Sequence, residues 1–306
     1  MVLALNAREL SVPQFISIES LSELKNDWIA HTSYPLIAKP TSSAGGDSVF
    51  LCRTFDELRK NCQTILEKKN IFGKDNKQVL IQEYIEGTEY AIDTVSLEGK
   101  HNTTNVFVYE KIKVEGSRFA YRSVRALDLN SAISKLLIKY THQVLDCLGI
   151  RNGASHSEVI KNEANGQPTL IEVGARMNGG GMPSLVGSAM NYSQIELLID
   201  AYLRPNKFLD KLKVPAKMYK SFMVHCAIST QTGVITERPT LDKIKEMPSH
   251  MISLWHKREG DKLVPTVDLA TCPMKVILAN QCPHQLEQDH LELVELEQRN
   301  ELYHIA

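Results

Sequence analysis

Ala154-Ser-His156-Ser-Glu158-Val-Ile160, a polar turn, and Thr169-Leu-Ile-Glu172-Val-Gly-Ala-Arg176-Met-Asn-Gly-Gly-Gly181 form the stretch on which the fold turns. Two apolar runs flanking Lys161 to Pro168 predict a hairpin. Each strand carries one carboxylate in an apolar setting. If residues whose numbers sum to 330 pair, Glu158 and Glu172 face each other and point the same way. That register needs an odd-length loop centred on Asn165, and it is the one we expect. A two-residue Asn165-Gly166 turn gives a sum of 331 and opposite faces. Facing carboxylates repel unless a cation lies between them. Oxygen donors completed by substrate phosphates suit Mg²⁺, with Mn²⁺ as a substitute. Arg176 lies four residues beyond Glu172 on the same face, and Gly174 between them leaves room for a ligand. A guanidinium can grip phosphate or carboxylate bidentately. The competing reading is a structural Glu172–Arg176 ion pair.

Upstream, the apolar run from Tyr34 to Lys39 reads as a strand that stops at Pro40, followed by the small-residue loop Thr41-Ser-Ser-Ala-Gly-Gly-Asp-Ser48. A lysine ending a strand beside such a loop suits polyphosphate, because backbone N–H groups and hydroxyls can wrap the oxygens. The loop lacks the Gly-Lys-Ser/Thr ending of the Walker pattern. Val79 to Ile85 is a strand running into Glu86-Gly-Thr-Glu89. It could offer backbone groups to a nucleobase edge, with Glu89 accepting from ribose hydroxyls. The plain alternative is a strand with a solvated acidic end.

Helices and strands alternate around these segments. Ser20-Leu-Ser-Glu23 and Thr54-Phe-Asp-Glu57 are capping boxes that predict helices toward Ile29 and Lys69. Val49 to Cys52, Glu89 to Leu97 and Thr104 to Val114 read as strands. Leu129 to Leu148 has helical spacing and ends at Gly149. Ser184 to Leu203 reads as one helix, closed by Pro205. From Val214 the chain reads as a strand-rich lobe ending in a helix from about Pro283 to Leu302, whose acidic run reads as a solvated face.

The 306 residues are 43% hydrophobic and 23% charged, ordinary for a globular chain with a large core. At roughly 150 residues per domain they suggest about two domains. The net charge of -1 argues against a nucleic-acid partner. No apolar run is long enough to span a membrane. The opening Met-Val-Leu-Ala-Leu is too short to be a signal peptide. Six cysteines without a Cys-x-x-Cys pair read as reduced thiols of a cytoplasmic protein.

Taken in order, Lys39-Pro with its Gly/Ser loop, Gln82-Glu-Tyr-Ile-Glu-Gly-Thr-Glu89, His156-Ser-Glu158 and Glu172-x-x-x-Arg176-x-x-Gly-Gly180 resemble the ATP-grasp family. Within it, the chain is most similar to the L-amino-acid ligase and carnosine-synthase-like branch. The resemblance implies an α+β fold of two subdomains clasping ATP. An ATP-grasp domain over residues 1–210, with a small lobe at about 30–86 and a larger one at about 87–210, would precede a C-terminal lobe over 211–306. By position, Lys39 would contact the phosphates and the adenine side. The loop with Ser42, Ser43, Gly45, Gly46 and Ser48 would close over the β- and γ-phosphates. Gln82, Glu83 and the backbone at Ile85 would hold adenine, and Glu89 ribose, with His156 nearby. Glu158 and Glu172 would ligate Mg²⁺. Arg176 would hold the γ-phosphate and an acyl phosphate. Lys111, Arg122 and Arg125 are further candidate contacts, and the segments Glu115 to Ala126 and Met182 to Ser188 are candidate specificity loops. Many relatives carry an asparagine where Gly174 stands; Asn178 could compensate.

The resemblance implies a carboxylate–amine ligase that makes an amide through an acyl phosphate, with small molecules, amino acids in this branch, as both substrates. Relatives place an α/β domain before the segment matching Ala7 to Phe15. The expectations are a truncated chain, a partner chain supplying that lobe, or an enzyme that does without it. Relatives often dimerise through that lobe; a homodimer and a partner chain that supplies it are the two assemblies to expect. The alternative function is an ATP-binding protein that is catalytically incomplete by itself.

Overall fold

The computed structural model describes residues 1–114 and 118–306. The part of the expected Glu115–Ala126 loop at 115–117 lies outside the described residues. The first sheet is antiparallel and contains β1 (Phe15–Ile18), β2 (Leu36–Pro40), β3 (Phe50–Cys52) and β4 (Val79–Glu83), in the order β1-β4-β2-β3. Alternation sorts its faces. Leu36, Ala38, Val79 and Ile81 are buried, while Ile37, Lys39 and Leu80 look out over the neighbouring lobe. The buried face meets α3 (Phe55–Glu67) through Leu58, Cys62 and Ile65, spaced for one helical stripe. Thr54 caps this helix by accepting from the Glu57 N–H at 3.2 Å.

The Ser20 capping box opens only a short 3-10 turn, Leu21–Leu24. Asn26 then accepts from the Trp28 N–H at 2.8 Å and starts a separate helix, α2 (Asp27–His31), because a new cap resets the backbone. A short helix, α1 (Val2–Asn6), precedes the sheet.

The second sheet has eight strands. It contains β5 (Gly87–Leu97), β6 (Lys100–Val114), β7 (Arg118–Leu127), β8 (Gly153–Asn162), β9 (Pro168–Gly174), β10 (Ser221–Cys226), β12 (His250–Trp255) and β14 (Met274–Asn280). Their order is β12-β14-β10-β7-β6-β5-β8-β9. The segment after 117, expected to be a loop, is therefore a central strand. Arg122 and Arg125 obscured it, since charged side chains break apolar alternation unless partners await them. The sheet also runs across the boundary placed at 210, because β10 pairs with β7, Met223 opposite Arg125. A three-stranded sheet of β11 (Gly233–Glu237), β13 (Lys262–Leu263) and β15 (His304–Ile305) completes the C-terminal region.

α4 (Ala132–Cys147) packs its Leu137, Tyr140 and Val144 into the main core. The expected single helix from Ser184 to Leu203 is two, α5 (Met182–Gly187) and α6 (Gln194–Leu203). A second capping box, Ser193 with Glu196, restarts the chain after an isolated bridge from Met190 to Met218. α7 (Pro205–Lys213) and α8 (Leu241–Glu246) lead to α9 (Pro283–Gln298). α9 is not simply a solvated acidic face: Asp289 and Glu297 are buried with Leu286, Leu293 and Leu296. Among the described residues no helix is long and apolar enough to cross a membrane.

Candidate active site

The Glu158–Glu172 pair anchors the site. The two residues are direct partners across β8 and β9, as expected, but by another route. The outer hairpin pairs Lys161 with Pro168 and Val159 with Leu170, a register whose sum is 329 and whose loop is even. Ile171 is then an extra residue, a β-bulge, and beyond it Glu158 meets Glu172 and His156 meets Gly174. The expected odd loop centred on Asn165 is thus corrected to an even loop plus a bulge. The even turn closes with Asn162 accepting from the Gly166 N–H at 2.8 Å, and the bulge restores the facing carboxylates.

The same alternation carries a row of side chains onto one face: Glu89 and Asp93 on β5, Tyr109 and Lys111 on β6, Tyr121 on β7 and His156 on β8. This face and the outward face of β2 and β4 enclose a cleft of about 500 Å³. Lys39, Gly46, Gln82, Glu83, Ile85, Glu89, Glu158 and Glu172 all line it. A further cavity of about 360 Å³ under the Gly/Ser loop shares Lys39, Gly46 and Glu172 with it. Phe119, Tyr121 and Ile160 give the cleft an apolar wall, and Val267 reaches it from the C-terminal region.

Charge in the cleft is unevenly compensated. Lys111 Nζ donates to Glu89 Oε2 at 2.6 Å and sits 4.5 Å from the Tyr121 ring centroid. Burial pushes the Glu89 carboxyl up, against the pull of Lys111. Burial lowers the Lys39 ammonium, while Glu172, Glu158 and Glu89 oppose that shift. Glu172 is pushed up by burial and by the Glu158 charge. Burial acts the same way on Glu158, but His156 and Lys111 outweigh it and hold its carboxyl below the usual range. His156 Nδ1 donates to Asp93 Oδ1 at 2.6 Å, and its Nε2 lies 3.6 Å from Glu158 Oε1. Burial disfavours the imidazolium, yet these two carboxylates push it up to about 9.

Several expected contacts are placed differently. His156 does not line the cleft; it is buried behind Glu158. The Glu83 carboxylate accepts from the Gln14 N–H at 3.1 Å, which leaves its backbone for a ligand. The hydroxyls of Ser43 and Ser48 donate to Asp47 at 2.8 and 3.0 Å, and the Ser42 carbonyl accepts from Asn70 Nδ2 at 2.6 Å. The loop around Gly45 and Gly46 (φ +66° and +78°) therefore faces the cleft with its backbone. Arg122 and Arg125 are ion-paired to Glu297 and Glu287 on α9, away from any ligand role.

Strand β9 ends at Gly174, so Arg176 sits in a bend and the same-face rule no longer reaches it. Its Nη1 donates to the Met177 carbonyl at 2.9 Å, and no ion pair joins it to Glu172 among the described residues. A Cβ at Gly174 would lie 3.4 Å from Arg176 Cγ and Nε, so the glycine makes room for this side chain rather than for a ligand. Met182 to Ser188, expected as a loop, is largely α5. Sequence reasoning missed Asp93 and Asn105, and it considered Asn178 only as a substitute for the asparagine that relatives carry at the position of Gly174. In the structure Asn178 Nδ2 donates to Asp93 at 3.0 Å.

Two facing carboxylates at the rim of a polyphosphate-sized cleft fit a divalent cation whose remaining ligands come from phosphate oxygens. Among the described residues no cluster of three or more His, Cys, Asp or Glu side chains could hold a metal by itself.

Residues 32–184 match the model of the ATP-grasp domain, half of the chain. The chain belongs to the ATP-grasp family. Dapdiamide A synthase of Enterobacter agglomerans is 32% identical over 291 residues, covering 93% of this chain and 66% of that protein. This ATP-grasp chain thus spans slightly less than two thirds of that curated relative. Among solved structures, an L-amino acid ligase from Bacillus licheniformis superposes with a TM-score of 0.78 at 21% identity, over 99% of this chain and 70% of that one. An N5-carboxyaminoimidazole synthase from Aspergillus clavatus, in complex with ADP, gives 0.67 at 13% identity over 97% and 72%. At such identities these two support the ATP-grasp fold alone.

Proposed function

We propose that this ATP-grasp chain carries the nucleotide site of an ATP-dependent carboxylate–amine ligase acting on amino acids or close derivatives. The observation that carries the reading is the bulge-set pairing of Glu158 with Glu172 beside Lys39 in the cleft. The relatives named a dapdiamide A synthase and an L-amino acid ligase support the substrate class.

In this reading adenine enters between Ile37 and Ile160 and bonds the backbone near Ile85, while Glu89 accepts from ribose. Lys39 and the backbone of the Gly45–Gly46 loop neutralise and wrap the phosphates. Glu158 and Glu172 would hold Mg²⁺, which supplies charge neutralisation on the phosphate oxygens. Arg176 unfolds from over Gly174 to hold the transferring phosphoryl group, and catalysis rests on positioning. The substrate carboxylate attacks the γ-phosphorus and ADP leaves. The amine then attacks the acyl phosphate and inorganic phosphate leaves, giving the amide.

The test is ADP release by the purified chain with ATP and Mg²⁺, with and without pooled amino acids. Stimulation by the pool is the expected result. Release that the pool does not alter, with an N-terminal domain of a relative supplied in trans, would overturn the ligase reading.

A further inference from the structure

One buried acid has no part in the reading above. Asp93 lies four residues past Glu89 on the cleft face of β5 and is 1% exposed. Three donors converge on it. His156 Nδ1 reaches Oδ1 at 2.6 Å, while Asn105 Nδ2 and Asn178 Nδ2 reach Oδ2 at 2.6 and 3.0 Å. A buried carboxylate is costly unless its oxygens are satisfied, and a fully satisfied polar network specifies one arrangement.

Two of the partners lead straight to the chemistry. His156 stands 3.6 Å from Glu158. Asn178 follows Arg176 by two residues, in a segment outside any helix or strand. That segment runs into Gly180 and Gly181, with φ of +62° and +74°, so its backbone has little intrinsic stiffness. It is held from two sides. Asp93 takes the Asn178 side chain, and Gln194 Oε1 accepts from the Asn178 N–H at 3.2 Å. Gln194 is itself buried, donating to the carbonyls of Thr94 and Ser155.

We propose that Asp93 is a positioning residue whose carboxylate locks the Arg176 segment through Asn178, and the Glu158 side chain through His156, into one arrangement. The assignment deepens the ligase reading and rests on it for the roles of Arg176 and Glu158. Asp93 itself stays behind the cleft wall, away from the reacting atoms. The lock explains why an acid sits in the apolar run Tyr90 to Val95, where an apolar residue would pack at lower cost.

Asp93→Asn separates this role from nucleotide binding. Whichever way the new amide turns, it brings a donor toward groups that already donate. The expected result is a loss of kcat of about 10- to 100-fold with KM for ATP within about twofold, the size of effect seen when partners orienting metal ligands are lost. Amide hydrogen exchange over 175–181 should rise, while exchange over 36–52 stays unchanged. The reversed pair Asp93→Asn with Asn178→Asp restores one donor facing one acceptor. It should recover most of the lost kcat and the protection of 175–181. If Asp93→Asn does not fold, Asn178→Ala removes the same tether from the loop side and should show the same rise in exchange.

Unchanged exchange over 175–181 in both single variants would overturn the proposal, as would an equal loss of ATP affinity or a loss that the reversed pair leaves untouched. Wild-type chain without amino-acid-dependent ADP release, even with an N-terminal domain of a relative supplied in trans, overturns the ligase reading instead. The exchange and ATP-affinity measurements then still decide the Asp93 assignment.

Discussion

The eight-stranded sheet carries two charged clusters, and they are built on opposite terms. On the cleft face Glu89, Glu158 and Glu172 gather around Lys39 and Lys111, and Glu158 directly faces Glu172, with the His156 imidazole 3.6 Å behind Glu158. On the C-terminal side the charges are sealed and matched. Glu297 accepts from His225 Nε2 at 2.7 Å, from the Ile228 N–H at 2.9 Å and from Arg122. His225 Nδ1 lies 3.2 Å from His290 Nδ1, and Ser123 donates to Glu110 at 2.8 Å. Burial differs as well: Glu297 and His225 are enclosed in the interior, while Glu172 stands exposed at the edge of the cleft. In the proposed reading, a facing carboxylate pair that opens on a cleft receives a cation and phosphates, whereas a closed network serves architecture.

The largest expected effect lies on the open side. Glu172→Ala should cut Mg²⁺-dependent turnover by about 10³-fold, comparable to losing a principal electrostatic group, with the thermal midpoint nearly unchanged. Midpoint and Mg²⁺ titration together check this; a variant with unaltered Mg²⁺ dependence would erase the contrast. Arg176→Ala should keep ATP affinity, measured by calorimetry, and lose about 10²-fold in kcat. On the closed side Glu297→Ala should act on the fold. It strands Arg122 and His225 in the interior and should cost about 3 kcal/mol in a denaturant titration.

Acid provides a graded version of the same contrast. Burial, with His290 and Arg122 adding to it, holds His225 well below its ordinary value, so it stays neutral in the folded chain. The unfolded chain takes up that proton near pH 6.5, and stability should therefore fall as pH drops below that point. Urea midpoints at several pH values measure the slope, and His225→Gln should reduce it, with His142, which burial lowers to about 4, supplying part of the remainder. The smallest effect is the cap of α3. Thr54→Ala should cost about 1 kcal/mol and leave both clusters intact, which thermal unfolding can resolve.

Much of this was legible in the chain. Lys39, Glu89, Glu158 and Glu172 each sit in a strand whose alternation fixes the face, and face is what brings them to one cleft. Partnership is harder to read. The bulge at Ile171 leaves no mark, since an extra residue in a strand looks like any other apolar residue, and turn length alone pointed to the wrong loop. Strand β7 was hidden because Arg122 and Arg125 find their anions on α9, far away in sequence. The break before α6 was readable, for Ser193-Gln-Ile-Glu196 is the same capping signal as Ser20 to Glu23. Asp93 also left a trace, as the lone acid in an apolar run.

The pairing of β7 with β10 has a consequence for how the chain is made. Everything β7 needs on one side is translated early, but its other edge waits for residues beyond 220. During synthesis a nascent chain therefore presents an unfinished sheet, with open backbone groups ready to join a neighbour on the same message. Arg122 and Arg125 stand along that edge before Glu297 and Glu287 exist to neutralise them. The last helix of the chain therefore brings the anions that a strand at the centre of the sheet has been missing, and closes its charge only at the end of synthesis.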